Sequence, residues 1–588
     1  MHRRAVLRSA ICCVCLTSVA TLAQQLQNVA TAEKPGERSP SVRQSAMSLV
    51  EEALAGTGSL TIPSNRLAIE LRAFPIVWSR SDARARALVQ QMAGEFAQAA
   101  NAATQDRDQN PAYALNELRN QRCGIARAIA ISDPDLALLF VSATLPYLKS
   151  IAPEDDPDDH ALIVELAAQV ALHNPRRALD LAEQQLKETD DLPQSMIDLL
   201  DQVQRNDPQV GSHLFHDIVD HLRRQNLTED VEALSFAASL LGSQFSRQSE
   251  TGQPDDVLRT LAETVATAAL SPGVLPEKSW VLSDALTALD ALVPARSAAL
   301  HSGNGGSTQA PSVQNSFWQK FNQAQSSGND SQTLTLLSQA PDEVRLQAAL
   351  RAAREFADRG DLERTLQVAQ GLEPWQRNTM MQSALVSAAL AAGSRSDFPS
   401  ARQLAAQITD EDSRATVLSS LAIFANGNGK TRVAEEMLGE ASSLVVNHNA
   451  GTSAFAAQLR VAQAYLRVKP AQAIPLLERS ATQIEQALSA AAQLDGFLPD
   501  SHSFAGNELI LNQGFLYNQL LEPYAMATAE LATFDLPAAR ILANRLPLPE
   551  ARMMTEIFVA AGVLGKMDQT QNAVNASNNI RLRFVESY

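Results

Sequence analysis

The 588-residue chain predicts an all-α fold, an α-solenoid of antiparallel helix hairpins in two arrays joined by a Gly/Ser linker, and three observations carry it. Aromatic residues are only 5% of the chain, while Ala, Leu and Gln are abundant. Small and unbranched side chains suit closely packed helices and lose little rotamer freedom there. Runs rich in Val, Ile, Thr and Tyr, which would mark strands, are scarce. The second observation is an echo. Ala401–Arg414 (ARQLAAQITDEDSR) resembles Thr365–Asn378 (TLQVAQGLEPWQRN) and Ala539–Arg552 (ARILANRLPLPEAR). Each has an aliphatic–Ala pair, then Leu or Ile three residues on, a polar or proline-bearing turn, and an arginine opening the next apolar run. That is the end of one helix, a turn and the start of another.

The third observation is a recurrent helix opening, in which a polar residue and Pro precede Ala or Val and then an aliphatic residue. Asn110-Pro111, Asp133-Pro134 and Asn174-Pro175 have it, and Gln253-Pro254 and Lys469-Pro470 are looser copies. Asn or Asp caps the free amides of a first turn, and Pro at the first helical position has no amide to lose.

Taken in order, residues 1–23 read as a secretory signal peptide. His2, Arg3, Arg4 and Arg8 precede the apolar stretch Ala10–Val19, and small residues sit near Ala20 and Ala23. The apolar core is too short for a permanent membrane span, and no later segment is long and apolar enough for one. Cleavage would remove three basic residues and three of the four cysteines, leaving net charge −20 and a lone Cys123. No intramolecular disulfide is then available, so packing must hold the fold. The acidic balance disfavours nucleic acid and anionic membranes as partners.

Residues 24–45, with Pro35, Gly36 and Pro40, are expected to be a flexible leader. Residues 46–300 form the N-terminal helical array. Residues 301–315, beginning HSGNGGSTQAPS, are the linker, and 316–588 are the C-terminal array, with Ser316 expected to cap its first helix. Residues 24–300 hold 23 basic and 38 acidic residues; residues 301–588 hold 22 and 27, so the charge lies mainly in the first array. The helix pairs of the second array recur at about 32–37 residues, between Arg345, Arg377 and Arg414. They resemble diverged tetratricopeptide-like repeats over roughly 342–480 and 531–565, although the fixed Trp, Leu-Gly and Tyr signature is absent. The resemblance implies partner binding on a concave face and supplies no catalytic residue.

One stretch interrupts the helices. Asp495–Asn507 (DGFLPDSHSFAGN) is a long non-helical loop, with Phe497, Phe504, Phe515, Tyr517, Tyr524 and Phe534 in or just after it. Long loops in compact arrays often carry function, and exposed aromatics anchor partners. Phe497, His502, Phe504 and Tyr517 are therefore the candidate partner-binding residues. The alternative is that these rings fill a groove between the last helix pairs.

Other clusters have plain structural readings. His213, His216, Asp217, Asp220 and His221 fall within about 140° of one helix face, opposite Leu214, Phe215, Ile218, Val219 and Leu222. That separation is the mark of a solvated amphipathic face, and no metal is assigned to it. Glu154–Asp159 (EDDPDD) lacks calcium-loop spacing and reads as a solvated loop ahead of a helix. Asp500-Ser501-His502 cannot form a triad among consecutive residues. Arg359-Gly360-Asp361 is a helix-pair turn. Cys123, placed between helical patterns, reads as a packed small residue.

The combined expectation is an exported, periplasmic or secreted, non-catalytic scaffold without cofactor, binding a protein or peptide of the cell envelope. The rival is an α-helical envelope hydrolase or lyase acting on cell-wall or polysaccharide material.

Overall fold

A computed structural model describes residues 40–105, 111–151, 157–249, 256–271, 279–282, 284–303, 313–447, 451–495, 503–511 and 514–568. The expected signal peptide (residues 1–23), residues 24–39 of the expected leader, residues 304–312 of the expected linker, Glu154–Asp156, Phe497 and His502 lie outside them. The described chain is helical apart from one two-stranded antiparallel hairpin, Phe504–Ala505 with Glu508–Leu509.

The chain divides into two compact units. Over the described residues, one joins the stretch up to residue 76 to 311–570, and the other holds 77–310. One division falls at 310/311, within the Gly/Ser stretch. The start of the chain departs from the expected 46–300 array. The helix Pro40–Gly56 packs on Pro549–Leu564 near the far end of the sequence. Ala46, Leu49, Val50, Ala53 and Leu54 form the buried stripe of the N-terminal helix. No local pattern announces that pairing, because any amphipathic helix satisfies the same periodicity. The helix also starts inside the expected leader, at Pro40, and the helix after the linker starts at Val313, ahead of the expected cap at Ser316.

In the 311–570 part, the echoed segments 365–378 and 401–414 share one structural device, which the helix Asp330–Ser338 also uses. A long helix ends in a residue with left-handed backbone: Gly328 (φ 66°), Gly360 (φ 71°) or Ser396 (φ 65°). An Asn or Asp then caps the shorter second helix. Asn329 accepts from the Gln332 amide, Asp361 from Arg364 and Asp397 from Ser400. The turn arginine reaches back from the next helix to the carbonyls at the end of the preceding one. Arg377 Nη2 donates to Gln370 O (3.0 Å) and Leu372 O (3.3 Å), and Arg345 Nη2 to Ala340 O (2.8 Å). The last carbonyls of a helix lack intrahelical partners, and a guanidinium there satisfies them while opposing the helix dipole. Each long helix packs against its own short partner and against the next long helix, as a solenoid requires.

Gly360 is required twice over. Its φ favours glycine, and a Cβ there would lie 2.7 Å from the Ala388 amide nitrogen. Arg359-Gly360-Asp361 is thus consumed by the turn.

In the 77–310 unit, a continuous core runs from Val164 to Leu300. Two expectations change here. Cys123 is buried within the helix Pro111–Ala130 rather than between helices. The acidic run also enters the helix Pro157–Val170, where Asp159 pairs with the fully buried Arg122. Arg122 also donates to Thr144 Oγ1 (2.8 Å) and Val141 O (2.7 Å). A buried guanidinium needs such partners, because its desolvation is costly.

Candidate functional site

The candidate site is an open groove of about 1730 Å³ in the 77–310 unit. Three segments build it: Pro175–Glu188 with Asp190 beyond its end, Pro208–Arg224, and the stretch from Gln225 into the helix Val231–Ser249. The first two helices start at proline-adjacent caps. The Asn174 side chain accepts from the Arg177 amide, and Asp207 Oδ1 accepts from the Gln209 and Val210 amides. These caps set where each helix begins, and hence which residues face the groove.

Pro208–Arg224 presents the face read from the sequence. Leu214, Phe215, Ile218, Val219 and Leu222 are buried, while His213, His216 and Asp220 are exposed. His221 departs from the expected solvated face and is only 5% exposed. It lies at the edge of the polar arc, about 20° from Leu214 by helical spacing, so it turns inward with the apolar side. Its Nε2 lies 3.4 Å from Asp190 O and 3.0 Å from Gln225 Nε2. Gln225 Nε2 also donates to Asp190 O, and Gln225 Oε1 is buried without a hydrogen-bond partner.

Glu183 completes a cluster that the sequence did not reveal. His213 Nε2 lies 3.6 Å from Glu183 Oε1 and 3.5 Å from Asp217 Oδ2. His213 and Asp217 stand four residues apart on one helix, but Glu183 is 30 residues earlier on another. Only the packing of Pro175–Glu188 against Pro208–Arg224 unites them. Burial pushes the Asp217 carboxyl above its ordinary range. His213 opposes that shift, while Glu183 and Asp220 reinforce it.

The groove is strongly acidic. Asp190, Asp217, Asp220, Glu229, Asp230 and Glu232 join Glu183 along it, against Lys187, Arg223 and Arg224. This excess continues a sequence feature, since residues 151–250 contain 20 acidic and seven basic residues.

The aromatic segment near 497–534 takes the packing alternative where it is described. Phe504 (7% exposed) and Tyr517 (2%) are interior rather than available anchors. Tyr517 stands 5.7 Å below the Arg72 guanidinium, which also lies 5.1 Å from the Phe558 ring and pairs with Glu522 at 3.3 Å. Burial pushes the Tyr517 hydroxyl well above its ordinary range. The exposed rings are instead Phe515 (60%) and Phe534 (55%). Apolar periodicity does not say which ring of a cluster turns inward; packing decides it.

No family model and no curated protein matches the chain. Among solved structures, a chain from the structure of Naa15/Naa10 bound to HypK-THB aligns at 12% identity over 95% of this chain and 80% of that one, with TM-score 0.27. A circular tandem repeat protein with novel repeat topology and enhanced subunit contact surfaces aligns at 14% identity, over 91% and 99%, with TM-score 0.14. Both scores are under 0.5, so the assignment to the helical-repeat class rests on this chain's own helix packing.

Proposed function

We propose that the protein is an exported, non-catalytic interaction scaffold whose 77–310 unit holds a basic, extended protein segment. The observation that carries this reading is the acidic groove between Pro175–Glu188, Pro208–Arg224 and the Val231 end of the next helix. A concave surface of one charge sign attracts an oppositely charged chain and raises its association rate. Stacked helix hairpins supply such a surface without a deep cavity. Export is supported by the basic–apolar–small order of residues 1–23, and an exported chain would meet its partner in the cell envelope.

Binding of fluorescein-labelled 12-residue peptides to the chain lacking residues 1–23 tests the groove. A Lys/Arg-rich peptide binds and an acidic one of equal length does not; affinity falls steeply with salt. Charge reversal at Asp220 and Glu229 together weakens the basic peptide at least tenfold. Equal binding of both peptides, or an unchanged affinity in the reversed variant, overturns the reading. Fractionation of cells producing the tagged full chain tests export separately, and retention in the cytosol defeats that part alone.

A further inference from the structure

We propose that Glu183, His213 and Asp217 bind one first-row transition-metal dication of the zinc type, with its remaining positions open to water. The site is independent of the peptide reading and occupies only the part of the groove between Pro175–Glu188 and Pro208–Arg224.

The geometry comes first. One ligand atom from each residue lies within 4.8 Å of the others. His213 Nε2 is 3.5 Å from Asp217 Oδ2 and 3.6 Å from Glu183 Oε1. Zinc bonds of about 2.0–2.1 Å in tetrahedral geometry separate neighbouring donors by about 3.3–3.4 Å. The His213 pairs therefore need to close by only a few tenths of an ångström. His213 and Asp217 share a face because they are one helical turn apart, which leaves Glu183 as the only ligand brought by tertiary packing. One imidazole with two carboxylates suits zinc, cobalt or nickel better than calcium or magnesium, which favour all-oxygen shells.

Charge supplies a separate argument. Among the described residues, Asp217 has no Lys or Arg partner, and its ion pair is with His213 alone. Glu183 pairs with Lys187 at 3.6 Å, whose side chain is 75% exposed. With His213 neutral, as ligation requires, the two carboxylates have only the exposed Lys187 ammonium, paired with Glu183, against them, while Asp220 adds negative charge nearby. A dication removes that deficit. The two other histidines of the helix are engaged elsewhere: His216 Nδ1 lies 2.7 Å from Ser212 O, and His221 faces Asp190 and Gln225.

The test is calorimetric titration of the chelator-stripped 24–588 chain with zinc chloride, paired with cobalt(II) absorption as a report on coordination. Cys123→Ser is the background, so that a thiolate cannot supply the signal. The expected result is one saturable equivalent, weakened at least tenfold by His213→Ala and by Asp217→Asn. His216→Ala leaves it within twofold. His213 is exposed, and circular dichroism of each variant verifies folding. Absence of saturable binding below 100 µM zinc (on the order of an adventitious surface affinity, about −5.5 kcal/mol) overturns the site, as does an affinity unmoved by His213→Ala. With the peptide assay repeated in chelator, failure here leaves the groove reading standing, and failure there leaves this one.

Discussion

Two helices of similar length, Pro549–Leu564 in the unit containing 311–570 and Pro208–Arg224 in the 77–310 unit, turn similar material to different ends. Thirteen of sixteen residues are buried in the first and seven of seventeen in the second. The first is wrapped by Pro40–Gly56, Glu522–Ala532 and Leu536–Asn544, so even Glu550 and Glu556 are drawn inside. Burial pushes both carboxyls up, and Glu550 is left with one oxygen accepting from the Leu509 amide and the other unpartnered. The second is buried along its apolar stripe alone, and its polar side lines the open groove. A repeat helix becomes core or site according to how many neighbours it has; its own amphipathicity sets only the lower limit of its burial.

The sharpest break of that contrast is Phe558→Ala. The ring is fully buried and stacked by Arg72, so truncation should cost about 3–5 kcal/mol in urea unfolding. A loss below about 1 kcal/mol would mean that Pro549–Leu564 is not a packed centre. Asn65→Ala should come next, at about 2–3 kcal/mol. The fully buried Asn65 side chain donates to Leu509 O at 2.8 Å and accepts from the Leu511 amide at 2.9 Å. Its removal strands both backbone groups. An Asn65→Ala variant as stable as the parent would show that this tie is dispensable.

Glu508 sharpens the comparison through pH. Burial raises its pKa, but donors at Thr61, Ile62 and Asn65 more than reverse this and hold it below the ordinary carboxylate value. A depressed carboxyl adds stability above its unfolded pKa and loses it as pH falls through the folded one. Stability of the parent should therefore fall more steeply than that of Glu508→Gln between pH 5 and 3. Parallel pH profiles would remove Glu508 from the tie.

Asp217→Asn is the smallest effect and has the opposite sign. Its raised pKa means that the folded state disfavours the charged form, so stability declines as pH rises through that range. With the carboxyl about one-third exposed and screened, neutralisation should raise stability at pH 7 by no more than about 0.5 kcal/mol in chelator. A melting temperature lowered by two degrees or more would show instead that the carboxylate is a structural partner.

Much of the fold was legible because its signals are local. Helical class, the capped starts at Pro134 and Pro175 and the turn arginines follow from residues within about eight positions of one another. The polar face of Pro208–Arg224 was legible for the same reason. The candidate site was only half visible: His213 and Asp217 share a helix face, whereas Glu183 joins them from another. The expected anchors Phe504 and Tyr517 proved interior, because a loop's aromatic content does not encode what packs over it.

By itself, the sequence determined that the chain is helical, acidic and built from capped hairpins. Each of these rests on propensity, periodicity or charge, which act over one or two helical turns. Tertiary structure alone decided that residues 40–76 complete the unit of the chain's other end. It also turned His221 inward, exposed Phe515 in place of Tyr517, and brought Glu183 to His213. Those outcomes depend on which amphipathic faces meet, and many pairings of small apolar stripes satisfy the same local pattern until whole helices are packed together.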